Sequence, residues 1–180
     1  MKLDVRLDLR EVEAMASDVQ RKRIPIAASR AINKTLGNVK TEASKRIKEE
    51  RALSSKVIKD ALNVYKATRS RLYGAVVASG RPIPLRDYQA RQTRKGVTVK
   101  VSPGGRKLVV QSGNKAFQVE RYGQHVYVRT GNRRLPIKKL YGPSIPATFL
   151  NKHVIDALDA VAGDNWPKRF AEELRYELAR

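Results

Sequence analysis

Cysteine is absent from this 180-residue chain, and histidine occurs only twice. No disulfide framework, thiolate metal site or cysteine nucleophile is therefore available. Aromatic residues are only 6% of the chain, with a single tryptophan. Long apolar runs are missing too: none approaches the roughly 18–20 residues of a membrane span, and no membrane partner is expected. The opening "MKLDVRLDLREVE" alternates charge with aliphatics and lacks the apolar core of a secretory signal.

Acid is scarce where it would matter most. The chain carries a net charge of +21, unevenly distributed. Residues 1–20 hold three bases and five acids, and residues 141–180 hold five and six. Residues 21–140 hold 30 bases and six acids, a net of +24. Between Arg69 and Lys139 there are 17 bases against Asp87 and Glu120 alone. Internal ion pairs cannot neutralise such a block, so it calls for a polyanion, an acidic protein partner or considerable salt.

The same scarcity argues against catalysis. A metal-dependent nuclease needs convergent carboxylates, and the basic block offers only those two. Asp87 can as easily pair with Arg86 or Arg91. His153 and Asp156 are i, i+3 neighbours on an expected helix, a spacing that reads as a surface pair. Glu172, Glu173 and Glu177 fall on a terminal helix that reads as solvated. No P-loop, dinucleotide fingerprint or HExxH occurs. "SPGG" lacks the lysine and following helix of a phosphate cradle. No enzyme activity, cofactor or metal is expected.

What is present reads as helices, then a β block, then helices: an α+β fold with an antiparallel sheet. "KLDVRLD" alternates and suits a short strand. Leu9–Arg23 turns helical, with Pro25 expected to break or restart the helix. Ala28, Ile32, Leu36, Val39, Ala43 and Ile47 then make one apolar stripe through Lys48. Arg30, Lys34, Lys40, Lys45, Arg46 and Lys48 occupy the other faces. Ser54 or Ser55 is placed to cap "SKVIKDAL". "VYKATRSRLYGAVVASG" reads as one or two strands, and "RPIPLRDY" as an extended connector or edge segment. "GVTVKVSPGGRKLVVQS" reads as a hairpin turning at "SPGG", and "FQVE" with "HVYVRT" as a second pair. Phe149, Val154, Leu158 and Val161 share a helical face expected to stop at Gly163. A separate helix is expected to restart with Asn165 as N-cap and Pro167 in its first turn. The whole is read as one domain: 1–63 helical, 64–134 a basic β block, 135–149 a proline-rich loop and 150–180 C-terminal helices.

Candidate contacts for DNA or an acidic partner are Arg91, Arg94, Lys95, Arg106, Lys107, Arg133, Arg134, Lys138 and Lys139. They cluster at expected turns and loop ends, where long side chains reach a phosphate backbone without reading sequence. Tyr122 and Tyr127 alone do not make a stacking platform. The loop "RLPIKKLYGPSIPATF" adds a second candidate. Pro136, Pro143 and Pro146 restrict it, and Leu135, Ile137, Leu140, Tyr141, Ile145 and Phe149 are too many apolar groups for a solvated linker. It packs within the domain's own core or against a neighbouring subunit.

Three stretches carry a family resemblance: "AASRAINKTLGNVKTEASKRIKEE", "ATRSRLYGAVVASGRPIPLRDYQARQTRKGVTVKV" and "RLPIKKLYGPSIPATF". Their order and content resemble the prophage minor tail protein Z family, the tail-completion proteins of long-tailed bacteriophages. The resemblance implies a structural virion protein, made in the host bacterial cytoplasm. It would act at the head-proximal tail end or neck in tail completion and head–tail joining, close to the DNA channel. It implies a homo-oligomeric ring, expected as a hexamer, with the tail terminator, tail tube, head–tail connector and packaged DNA as partners. The competing expectation is a non-virion accessory protein that binds nucleic acid without sequence preference.

Overall fold

A computed structural model describes residues 2–6, 18–111 and 113–179. Alanine and branched aliphatics at steps of three and four form the buried face of α1 (Asp18–Glu50). Ala28, Ile32, Leu36, Val39, Ala43 and Ile47 are each at most 1% exposed. The helix expected over Leu9–Arg23 lies largely outside the described residues.

Pro25 does not interrupt α1. Proline removes one intrahelical donor and crowds the preceding turn, at a cost of about 3 kcal/mol. Burial on both sides of it offsets that cost. Ile24 and Ala28 pack with Leu72, Trp166, Phe170 and Leu174, and Ala27 and Ala31 are fully buried.

The chain divides into two compact units. The first comprises Met1–Lys45, Leu62–Ser79 and Phe149–Arg180. It holds most of α1, a three-stranded antiparallel sheet and α4 (Lys152–Leu178). The strands β1 (Lys2–Arg6), β2 (Leu62–Tyr65) and β3 (Tyr73–Ala78) lie in the order β1-β3-β2. Gly74 marks a close approach of β3 to α1. A β-carbon there would collide with Leu36 Cδ1 and lie 3.2 Å from Ile32 Cγ2.

Helix α4 runs unbroken through Gly163 and Pro167, so the expected stop and restart do not occur. Asn165 is no cap: its Nδ2 donates to the Val161 carbonyl at 2.8 Å, and its Oδ1 accepts from Asn38 Nδ2 at 2.9 Å. The packing stripe explains the continuity. Val154, Leu158, Ala162, Trp166, Phe170 and Glu173 recur at helical steps straight across both breakers, and Trp166 stacks on Phe170 with centroids 5.2 Å apart.

The second unit comprises Arg46–Ala61 and Gly80–Thr148. Helix α2 (Ser55–Ala61) opens with Ser54 as its cap, Oγ lying 3.5 Å from the Val57 N–H. Three small antiparallel sheets follow. β4 (Arg91–Thr93), β5 (Gly96–Val99) and β6 (Lys107–Leu108) form the hairpin region around "SPGG". β7 (Val110–Gln111) pairs with β8 (Asn114–Lys115). β9 (Phe117–Val119), β10 (His125–Arg129) and β11 (Ile137–Lys139) lie in the order β11-β10-β9. The short helix α3 (Ile145–Phe149) occupies the end of the stretch expected to be a loop.

Candidate functional site

Alternation along β10 separates two faces of the β9–β11 sheet. Val126 and Val128 point into the core and are 0% and 2% exposed. His125, Tyr127 and Arg129 lie on the opposite face. Register brings Val119 opposite His125, Phe117 and Lys139 opposite Tyr127, and Ile137 opposite Arg129. The outward face is thus aromatic, aliphatic and basic together.

Its rings are in contact. Phe117 and Tyr127 have centroids 6.5 Å apart, and Tyr122 meets Tyr127 edge-on at 6.2 Å. The Arg129 guanidinium sits 5.5 Å from the Phe117 centroid, and Lys139 Nζ sits 5.5 Å from that of Tyr141. Phe117, Val119, Tyr122, Arg129, Arg134, Leu135 and Ile137 line an open cleft of about 490 Å³. Cations line it and no carboxylate does. Pairing Tyr122 with Tyr127 from the sequence misses Phe117. The signal lies in "FQVE" against "HVYV", but only strand register shows that the rings meet.

Of the nine basic candidates, eight are exposed: Arg91, Arg94, Lys95, Arg106, Lys107, Arg133, Arg134 and Lys138. Lys139 is half-buried, its Nζ 3.0 Å from His125 Nε2. None of the nine forms an ion pair among the described residues. Arg106 Nη1 donates to the Gln89 carbonyl at 2.8 Å. Strand register puts Lys139 on the same sheet face as Arg129 and Lys138 on the face of Val128, with Arg133 and Arg134 in the turn between β10 and β11. Arg91 lies on β4 with Arg94 and Lys95 in the β4–β5 turn, and Lys107 lies on β6 beside Arg106.

The surroundings of His125 favour its neutral ring. Burial lowers its pKa first, Lys139 and Arg86 lower it further, and Asp87 pulls the other way. A neutral ring can accept a hydrogen bond from the Lys139 ammonium at Nε2.

The proline-rich segments answer one another. Pro84 bridges Tyr141 in antiparallel fashion, with the Leu85 N–H donating to the Leu140 carbonyl and the Gly142 N–H to the Ile83 carbonyl. Proline suits these positions because it lacks a donor and favours an extended backbone. Residues 135–149 therefore divide by burial. Leu140, Ile145 and Phe149 are buried, while Ile137, Pro143 and Pro146 are half-buried. Leu135, Pro136 and Tyr141 are exposed, Leu135 at 66%. Tyr88 locks the segment: it is fully buried, its hydroxyl donates to the Pro143 carbonyl at 2.6 Å, and its ring lies against Gly142. Burial pushes its pKa up to about 12, with Arg51 opposing and Asp87 adding to the shift.

The residues considered for catalysis are placed otherwise. Asp87 pairs with its neighbour Arg86 at 3.3 Å. His153 and Asp156 are exposed on α4. Glu173 and Glu177 correct the expectation of a solvated helix, being 7% and 6% exposed. Arg30 pairs with both, Lys34 pairs with Glu173, and Arg23 Nη1 donates to the Glu177 carbonyl at 2.5 Å. These carboxylates join α4 to α1 within the first unit. Among the described residues no group of three or more His, Asp or Glu could hold a metal ion, and no helix is long and apolar enough to cross a membrane.

A family model described as prophage minor tail protein Z matches residues 11–180. No curated protein and no solved structure matches the chain.

Proposed function

Because the chain belongs to the prophage minor tail protein Z family, a family of phage tail proteins, we propose that it is a structural virion component of the head-proximal tail end. There it completes the tail and joins it to a filled head. The observation that carries this reading is the set of cations on the second unit. Eight of the nine are exposed, and none forms an ion pair among the described residues. They sit on turns and short strands, where they meet a polyanion without reading its sequence. A protein beside a DNA channel needs that property and no catalytic cluster. The exposed Leu135 and Tyr141, held on a segment anchored by Tyr88, suit contact with a neighbouring subunit or tail protein, because a preordered surface loses little entropy on binding. Partners in this account are further copies in a ring, the tail terminator or tube, the connector and the packaged DNA.

The test is removal of the chain from its phage, followed by electron microscopy of the lysate. The reading expects full-length tails and filled heads that fail to join productively. Normal infectious particles, or tails of altered length, would contradict it.

A further inference from the structure

The outward face of the β9–β11 sheet combines features that charge alone does not require. A basic surface for duplex phosphate needs lysine and arginine on loops. It does not need three clustered rings, two of them lining a cleft. Tyr122 is 55% exposed and lines the cleft together with Phe117. Arg129 and Arg134 supply the cleft's only charges. The volume of about 490 Å³ falls within the range of sites for small planar ligands.

We propose that this face binds an unpaired nucleic-acid strand, one base entering the cleft beside Tyr122 while its phosphates follow the row of cations. Two properties select this occupant. Antiparallel sheets recognise unpaired bases by presenting aromatic side chains for stacking, because every base has a π-face. The positive charge also continues beyond the cleft, to exposed Arg121 and Arg133 and half-buried Lys139. A single carboxylate would need one cation; a strand with a phosphate at each residue meets the whole row. Glu120, in the turn beside Tyr122, is the one exposed acid there and lies outside the cleft lining. Duplex DNA cannot offer a base to the cleft without unstacking it. The proposal adds base contact to non-specific phosphate contact, and it does not rest on where in the tail the protein sits.

The experiment compares fluorescein-labelled oligothymidylate of about twelve nucleotides with an abasic strand of equal length and charge. Both are titrated with the full-length protein and followed by anisotropy. Oligothymidylate is expected to bind about tenfold more tightly or better, and Tyr122→Leu is expected to remove most of that advantage while leaving abasic binding unchanged. Because Tyr122 is exposed, the variant keeps its fold, which circular dichroism verifies. A second variant, Arg134→Gln, is expected to weaken both strands. Equal affinity for the two strands in the parent protein would overturn the proposal and leave charge as the only determinant. Displacement of oligothymidylate by an acidic, leucine-containing peptide at lower concentration than by unlabelled strand would also overturn it, in favour of a protein partner. Either failure would leave the tail-end reading standing, since phosphate contact is separate from base contact.

Discussion

Tyr88 ties a buried phenol to the course of the proline-rich segment, and its environment has a measurable consequence. The folded pKa of about 12 exceeds the unfolded value near 10. Below pH 10 the phenol is protonated in both states, and its contribution to stability is complete. As pH rises from 10 to 12 the unfolded chain loses the proton first, so that contribution declines and is gone above 12. Urea unfolding should show a loss on the order of 2–3 kcal/mol over this window. Tyr88→Phe should flatten that part of the profile and cost about 1 kcal/mol at neutral pH through the lost bond to Pro143. A second test at this scale is Gly74→Ala. The added methyl meets Leu36 and lies 3.0 Å from the Tyr65 carbonyl, so overpacking should cost about 1–3 kcal/mol. A thermal melt unchanged by this substitution would mean that β3 does not approach α1 so closely.

Helices and strands show where local signals decide the structure and where packing overrides them. The α1 stripe, the Ser54 cap and the hairpins around "SPGG" and between "FQVE" and "HVYV" follow from periodicity and turn chemistry, and all are legible in the sequence. Pro25, Gly163 and Pro167 read as breaks only while their local penalties are weighed without the buried faces that run through them. A β-carbon at Gly163 would meet nothing within 4 Å, and the residue is inside α4. Gly163→Ala should therefore stabilise the protein by about 0.5–1 kcal/mol in chemical unfolding. A destabilised variant would argue against continuity of α4. The buried Glu173 and Glu177 are illegible for a related reason: a carboxylate on a terminal helix looks solvated until its cationic partners, here on α1, are brought to it by the fold. Likewise the basic candidates can be named from composition, whereas the aromatic cleft cannot. Phe117, Tyr122 and Tyr127 become one cluster only through the pairing of β9 with β10.

At the scale of the whole molecule, charge is the dominant property, and it makes affinity for duplex DNA depend steeply on salt. If about five of the nine candidate cations meet phosphate, affinity should fall on the order of 500-fold between 50 and 200 mM salt. Sequence should have little effect on that affinity. Tight, sequence-selective duplex binding with a shallow salt slope would contradict the assignment of these residues to phosphate. The family membership places the chain among phage tail proteins, and the central claim is that it occupies one end of the tail as a ring. Quantitative mass spectrometry of purified particles, counting this chain against the tail-tube protein, tests that claim most directly. A small, fixed copy number per tail, matching one ring and independent of tail length, is expected. Absence from particles while the protein is still made, or a copy number that scales with the tube, would contradict it.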